Sequence, residues 1–300
     1  MTTPLEPAPD SLDGRRLWLK REDVHELGAF KWRAALPVVE RYRDAGARVV
    51  VTASTGNHGA ATTWAASELG LGAIVFAPDG TSESKLAHLG RLGADVRLGG
   101  SDVDDAKDAG KSYAREQGLP FFEDGAEPLQ YEAYGSIADE IIDQLAGPPA
   151  AVVVPTGNGA LLGGVGLALG RRSPETLRIG VVAKQAPVMA LSWTAGSVVE
   201  SDSSATIADG LAVRVAIPHA VEVLSDAADR MVLVSEREIA HGVAAFHRAG
   251  IRAEPAAGAG LAGISRLGEL DGPVVLVVTG SNVDDDLVRR CLDAPGSFPD

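Results

Sequence analysis

Short apolar runs rich in β-branched residues alternate with longer stretches of helical periodicity, and this alternation constrains the fold more than any other feature of the chain. The runs are Val49–Thr52, Ala73–Ala77, Ala94–Leu98, Ala151–Val154, Ile179–Ala183, Met231–Val234 and Val274–Val278. Helical patterns span His58–Leu69, Ser84–Leu92, Asp102–Gln117, Leu129–Leu145, Ala160–Leu169, Glu236–Ala249 and Gly258–Leu270. Parallel neighbours in a sheet need a crossover long enough to hold a helix. The alternation therefore predicts an α/β fold with largely parallel sheets. A further helix starts after Lys31 but meets Pro37, where it is expected to kink or stop. "AGPPAA" (Ala146–Ala151) and "SDSSAT" (Ser201–Thr206) are the most loop-like stretches, and both are short for a flexible linker.

Three hundred residues, 45% of them hydrophobic, bury a large core in one or two domains. The net charge of −14 repels nucleic acid and anionic membrane, so the expected partner is a small molecule. The single cysteine, Cys291, excludes a disulfide within the chain and fits a reducing compartment. "MTTPLEPAPD" lacks the basic-then-apolar pattern of a signal peptide. The apolar runs "AAVVVP" and "PVVLVVTG" fall far short of the roughly 20 residues of a spanning helix. The expectation is a soluble cytoplasmic protein with no membrane partner.

Polar and glycine-rich segments gather at strand ends, where open α/β sheets bind ligands. "LKREDVHELGAFKWR" contains Lys31 directly after a glycine and an aromatic. "TASTGNHGAA" follows the Val49–Thr52 run, and its Ser54, Thr55, Gly56, Asn57 and His58 suit a carboxylate at a helix N-terminus. "PTGNGALLGG" follows Ala151–Val154, where small residues and a helix dipole suit a phosphate. "VVTGSN" ends the last strand with the hydroxyl of Thr279. Each has an ordinary reading: a solvated lysine, a tight strand-to-helix turn, a helix start satisfied by water, a common turn. Together they describe two anion cradles, an aimed amine and a terminal hydroxyl. That set suits one cofactor with an aldehyde, a phosphate and a ring nitrogen, and lysine forms Schiff bases with such an aldehyde.

In these motifs the chain resembles the fold-type II pyridoxal-phosphate enzymes, and among them the threonine/serine dehydratase and serine racemase group. The resemblance runs from "TPL" through "LKRED", "GAFKWRAA", "STGNHGAA", "PTGNGALLGG", "TIADGLAVR" (Thr206–Arg214) and "AEPAAGAGLAGI" to "TGSNVD", over nearly the whole chain. It implies pyridoxal 5'-phosphate in a cleft between two α/β domains. The larger would comprise residues 1–48 and 127–300. The smaller, 49–126, would close over the substrate.

By the same resemblance Lys31 carries the cofactor and moves protons, and Phe30 packs on its ring. Asn57 bonds the ring oxygen, and Gly157, Asn158, Gly159, Ala160 and Leu161 cradle the phosphate. Thr279 meets the ring nitrogen, and Glu254 lies near the ring edge. Ser54, Thr55 and His58 hold the substrate carboxylate, with Thr55 where racemases place an acid/base serine. A hydroxyl, unlike a carboxylate, does not hold a proton on the ring nitrogen, which favours elimination. The implied reaction is Cα proton abstraction by Lys31 and loss of the β-hydroxyl of serine or threonine, giving a 2-oxo acid and ammonia. Members are commonly homodimers.

The chain also departs from the pattern. Ala29 replaces a serine before Phe30, and Asn158 and Ala160 interrupt an all-glycine phosphate loop. "AYGS" (Ala133–Ser136) brings Tyr134 towards the expected substrate site. Asn158 and "ASTGN" also resemble threonine synthases. Where related enzymes supply carboxylates for a divalent cation, this chain has Lys184, Val188 and Ala190. No metal is therefore expected, with the Lys184 ammonium either in the cation's place or in solvent. About 18 residues follow Asn282, so an appended feedback domain is not expected. The rival readings are another reaction of the same cofactor, whether replacement or racemisation, and a non-enzymatic nucleotide-binding protein. The latter is weak because Gly157, Gly159 and Leu162 break the G-x-G-x-x-G spacing.

Overall fold

A computed structural model describes residues 1–12 and 17–300. The chain divides into two compact units, Met1–Phe30 with Tyr134–Asp300, and Lys31–Ala133. Strands β1 (Leu5–Pro7) and β2 (Leu17–Arg21) open the first unit. Then come α1 (Trp32–Asp44), β3 (Val49–Ala53), α2 (Asn57–Glu68), β4 (Gly72–Ala77), α3 (Glu83–Arg91), β5 (Ala94–Leu98) and α4 (Val103–Gln117) of the second unit. Helix α5 (Pro128–Leu145) carries the chain back to the first. That unit is completed by β6 (Ala151–Pro155), α6 (Ala160–Arg172), β7 (Leu177–Ala183), α7 (Val188–Ala195), α8 (Pro218–Ala227), β8 (Arg230–Val234), α9 (Glu236–Arg248), α10 (Pro255–Ile264), β9 (Val274–Val278) and α11 (Asp285–Asp293).

The first unit is built on a sheet of order β1-β2-β9-β6-β7-β8, parallel except for β1. Every residue of β6 and β9 is buried, which explains why both are unbroken valine- and leucine-rich runs rather than alternating ones. The chain steps from β6 to β7 to β8 in one direction and then returns to place β9 on the other side of β6. The carboxyl ends of β6 and β9 thus form a topological switch point, the usual ligand position of an open α/β sheet.

The second unit holds a parallel sheet of order β3-β4-β5. Ile74 and Phe76 of β4 pack with Val51 and with Ala106 and Ala114 of α4. Val75, between them in sequence, packs with Ala60 of α2 and Leu89 of α3. The two-residue period of the strand thus sends alternate side chains to helices on opposite faces. Phe121 bridges Val51 in parallel, held by Val51 N–H to Pro120 O (3.0 Å) and Phe122 N–H to Val51 O (2.8 Å).

The α/β class and all the strands read from the sequence are present. Strands β1 and β2 escaped that reading: β1 has three residues, and β2 ends in Lys20 and Arg21, so neither shows an apolar run. Helix α1 continues through Pro37 to Asp44. Proline there forfeits one hydrogen bond, to the carbonyl of Arg33, while burial of Ala34, Ala35, Val38 and Val39 keeps the helix together. Helix α10 starts earlier than the apolar pattern, with Pro255 at its first position, where a missing N–H costs nothing.

Helices α9 and α10 cross at glycines: a Cβ on Gly242 would lie 2.1 Å from Gly258 O. Gly242→Ala is expected to destabilise the chain by about 1–3 kcal/mol through overpacking. Gly90→Ala, in α3 with nothing within 4 Å of a new Cβ, should be neutral or stabilise by about 0.5–1 kcal/mol. Urea denaturation of both variants checks this, and equal effects would contradict the close crossing.

Candidate active site

Strand β6 is followed by Thr156, whose N–H donates to Val181 O (2.8 Å) and whose hydroxyl donates to Val154 O (2.9 Å). The turn Gly157–Asn158–Gly159 then enters α6. A Cβ on Gly157 would stand 2.3 Å from Gly210 O, so only glycine lets this turn lie against the 3-10 turn Asp209–Leu211. This contact explains why "TIADGLA" accompanies the loop. Gly159, at φ +90°, caps α6 without a side-chain acceptor of its own, and first-turn N–H groups left in this way are the kind that bind anions. Asn158 modifies it: its Oδ1 accepts the Ala160 N–H at 3.1 Å, occupying one cradle donor.

Beside this loop in the same sheet, β9 is followed by Thr279, which is 2% exposed. Its hydroxyl donates to Glu254 Oε1 at 2.7 Å. A hydroxyl has one proton, so Thr279 Oγ1 presents lone pairs to any further partner. Glu254 precedes α10, its own N–H bonded to Gly280 O (2.9 Å). Sequence reasoning named both residues but not their pairing.

The same strand end grips the segment before Lys31. Phe30 N–H donates to Thr279 O (3.1 Å), Ala29 bridges Gly280, and Ser281 N–H donates to Gly28 O (2.8 Å). Asn282 Nδ2 donates to Leu27 O (2.8 Å). Gly28 sits at φ +62°, and a Cβ there would meet Asn282 Oδ1 at 2.8 Å. Phe30 packs edge-on to Tyr134, centroids 5.1 Å apart. Tyr134 is fully buried, so its contact anchors the Phe30 ring to the core.

Lys31, the next residue, opens the second unit as the N-cap of α1. Its Nζ lies 2.5 Å from Asp124 Oδ2, with side chains 15% and 25% exposed. Sequence reasoning missed Asp124. The only clue was "LPFFED", a short aromatic strand ending in acids. Phe121 and Phe122 run beside β3, so Asp124 emerges at the same strand end as Ser54–His58. Thr52 Oγ1 fixes Phe122 O (2.8 Å), and Gln130 Nε2 donates to Asp124 Oδ1 (3.1 Å). Gln130 Oε1 accepts Gly125 N–H (2.8 Å), and Tyr131 Oη donates to Gly125 O (2.7 Å). Arg41 and Tyr42, near the end of α1, both bond Glu127.

Burial pushes the Asp124 carboxyl upward, but the Lys31 ammonium, His58 and hydrogen bonds from Lys31 and Gln130 outweigh it. They hold it well below the usual carboxylate range. His58 is pushed down, chiefly by burial and against the pull of Asp124, so it is neutral at pH 7. Its Nε2 lies 3.1 Å from Phe122 O, which can only accept, so Nε2 carries the proton. The ring is therefore committed to Phe122, and an anion at this helix start would meet the His58 backbone N–H instead. Ser54, Thr55 and Asn57 are half-buried in the same turn, with Gly56 N–H donating to Ser54 Oγ (3.2 Å).

Two other residues recede from the chemistry. Burial pushes the Cys291 thiol up to about 11, which makes it a poor nucleophile. Lys184 is exposed, against the reading in which its ammonium replaces a buried cation. Among the described residues no group of three or more histidine, cysteine or acidic side chains could hold a metal ion.

Residues 1–280 match the family described as pyridoxal-phosphate dependent enzyme. The chain is 33% identical to the L-threonine ammonia-lyase of Geobacter sulfurreducens, over 95% of this chain and 73% of that protein. It is 34% identical to the chloroplastic biosynthetic threonine dehydratase of Arabidopsis thaliana, over 92% of this chain but 48% of that one. The structure of the processed form of threonine deaminase isoform 2 from Solanum lycopersicum superposes with a TM-score of 0.92 at 28% identity, covering 98% of this chain and 88% of the other.

Gly157→Ala should force the β6–α6 turn away from Gly210. Cofactor bound per chain, measured by absorbance after dialysis, is expected to fall at least about tenfold, as misplacing two charge-assisted hydrogen bonds would cause. Wild-type retention in this variant would show that the turn has no part in holding the cofactor.

Proposed function

The chain belongs to the pyridoxal-phosphate dependent enzyme family, and from that membership we propose that it is an ammonia-lyase acting on a β-hydroxy amino acid, threonine or serine. The reaction yields a 2-oxo acid and ammonia. The residues present fit the cofactor. In the first unit, the side-chain-free cap at Gly159 and the first-turn N–H groups of α6 suit its phosphate, and Thr279 its ring nitrogen. In the second, Lys31 would bind its aldehyde carbon and Asn57 its ring oxygen. Phe30 and Glu254 would flank the ring.

The bound cofactor supplies the electron sink that lets a proton leave Cα. The protein's part is to place and move protons. The turn Ser54–Thr55–Gly56–Asn57, with backbone N–H groups at the start of α2, would hold the substrate carboxylate. The Lys31 amine would take the Cα proton, and the β-hydroxyl would then leave as water with a proton returned from the ammonium so formed. The carrying observation is the lysine itself: one amine at a helix start, paired with a carboxylate, directly after a residue hydrogen-bonded to the strand that bears Thr279. The similarity to L-threonine ammonia-lyase supports the choice of elimination over replacement or racemisation.

We place this activity in a cytoplasmic homodimer. Among the described residues no helix is long and apolar enough to cross a membrane. The exposed Leu191, Val198 and Val215 offer apolar surface for a second copy, to be weighed by light scattering.

Purified enzyme should be yellow and release 2-oxo acid from threonine or serine. Lys31→Ala should abolish both the borohydride-fixed adduct and turnover with the fold intact. A reduced adduct mapped to Lys20, Lys85 or Lys184 would refute the assignment, and threonine or serine racemised without 2-oxo acid would refute elimination.

Thr279→Ser keeps the hydroxyl and should be mild. Thr279→Asp places a second carboxylate against Glu254 in a buried site, where two like charges resist joint ionisation. Its cofactor retention and 2-oxo acid rate should both fall by about tenfold or more, one unit of pKa mismatch being tenfold. An Asp variant with wild-type kinetics would place Thr279 away from the cofactor.

A further inference from the structure

The reading of Lys31 as the cofactor lysine leaves a question open: where does its amine rest when it is not bonded to the cofactor? We infer that Asp124 is the positioning residue that parks it, acting as the counter-ion of the Lys31 amine. The inference rests on the proposed role of Lys31 but on none of the motifs that led to it.

The Lys31 and Asp124 side chains meet at 2.5 Å. Asp124 is not a loose surface acid that a long lysine happens to reach. Its backbone is placed by the parallel bridge between Phe121 and Val51, and by Phe122 N–H to Val51 O. Its second oxygen accepts from Gln130, which also binds Gly125 N–H. The following turn is tied to Glu127 and so to Arg41 and Tyr42 of α1, the helix that Lys31 begins. One helix therefore presents the amine at its start and anchors the carboxylate's turn near its end.

The neighbouring titratable groups leave the role to Asp124. His58 is neutral, with its proton directed to Phe122 O, and its Nδ1 stands 3.7 Å from Asp124 Oδ1. Tyr131 is raised by burial and then by Asp124, so it too stays neutral, donating to Gly125 O. Glu123 is held by Lys111 at 2.7 Å. Asp124 is the carboxylate aimed at Lys31.

An ammonium held this way has no lone pair to offer. It must leave Asp124 and give up a proton to solvent before it attacks a carbonyl or takes a proton from Cα. When the Cα proton has moved onto its nitrogen, with the C–H electrons remaining on the substrate, Asp124 is where the resulting ammonium returns. The carboxylate thus keeps the free lysine aimed and unreactive towards stray electrophiles.

The test uses the full chain freed of cofactor and labelled with trace isotopic acetic anhydride at fixed near-neutral pH. Mass spectrometry reads labelling of Lys31 against the exposed Lys184. Asp124→Asn should raise the Lys31-to-Lys184 ratio by about tenfold, as removal of one charge-assisted hydrogen bond implies. Asp124→Ser, which is smaller and also neutral, should do the same should the Asn variant fold poorly. Gln130→Ala loosens the same turn but leaves the carboxylate, and its ratio should rise clearly less than that of Asp124→Asn. An unchanged ratio in folded Asp124→Asn or Asp124→Ser overturns the proposal, as does an equal rise in Gln130→Ala. Borohydride reduction of the loaded wild-type enzyme is run in parallel. An adduct on another lysine overturns the cofactor role of Lys31, and with it the parking of a cofactor lysine, even where the labelling ratio responds to Asp124.

Discussion

The site depends on a backbone pairing between two segments far apart in sequence. Residues 27–30 are bound to residues 279–282 through Phe30 N–H to Thr279 O, Ser281 N–H to Gly28 O and Asn282 Nδ2 to Leu27 O. Such bonds are worth only about 1 kcal/mol each, yet they are directional, and together they fix where the chain can go next. Lys31 follows immediately. The segment beside the Thr279 hydroxyl therefore also holds the residues that lead directly to Lys31. Gly28 is the condition for this pairing, because its positive φ and the closeness of Asn282 both exclude a side chain.

The second unit solves a similar problem by other means. A carboxylate near a lysine loses much of its value if either is free to wander, since ordering long side chains costs conformational entropy. Here the carboxylate is short and its turn is cross-braced. Phe122 is fixed by Val51 and Thr52, Gly125 by Gln130 and Tyr131, and Glu127 by Arg41 and Tyr42. Lys31 is the longer of the two side chains and so has more rotamer freedom to lose on pairing.

These arrangements were unequally legible in the sequence. Strands such as Val274–Val278 are buried on both faces and therefore read as continuous apolar runs, while β2 stays hidden because Lys20 and Arg21 belong to its residues. Motifs at strand ends drew attention to Lys31, the Gly157–Leu161 turn and Thr279, because glycine and hydroxyl residues gather there after apolar runs. Asp124 left no such mark. It lies in a turn whose register is set by a single bridge from Phe121 to Val51, some seventy positions away along the chain. Nor could the sequence assign the His58 ring to Phe122, or Gly157 to Gly210. Long-range packing decides all three, and local pattern carries no record of it.

The pairing of Thr279 with Glu254 changes a chemical argument that the sequence alone seemed to support. A threonine at the end of β9, taken by itself, is a neutral group that donates or accepts according to its partner, so a ring nitrogen beside it needs no proton. In the structure that freedom is already spent: the hydroxyl proton points to Glu254 Oε1 at 2.7 Å. Turning it elsewhere would deprive a carboxylate that is 5% exposed of a hydrogen bond, and unmet acceptors in such surroundings are costly. Thr279 therefore faces its next partner as an acceptor, with a negative charge behind it. The preference for elimination cannot rest on a lone hydroxyl at this position. In the proposed reaction it would come from the group that takes and returns the proton, for which Lys31 beside Asp124 is the candidate.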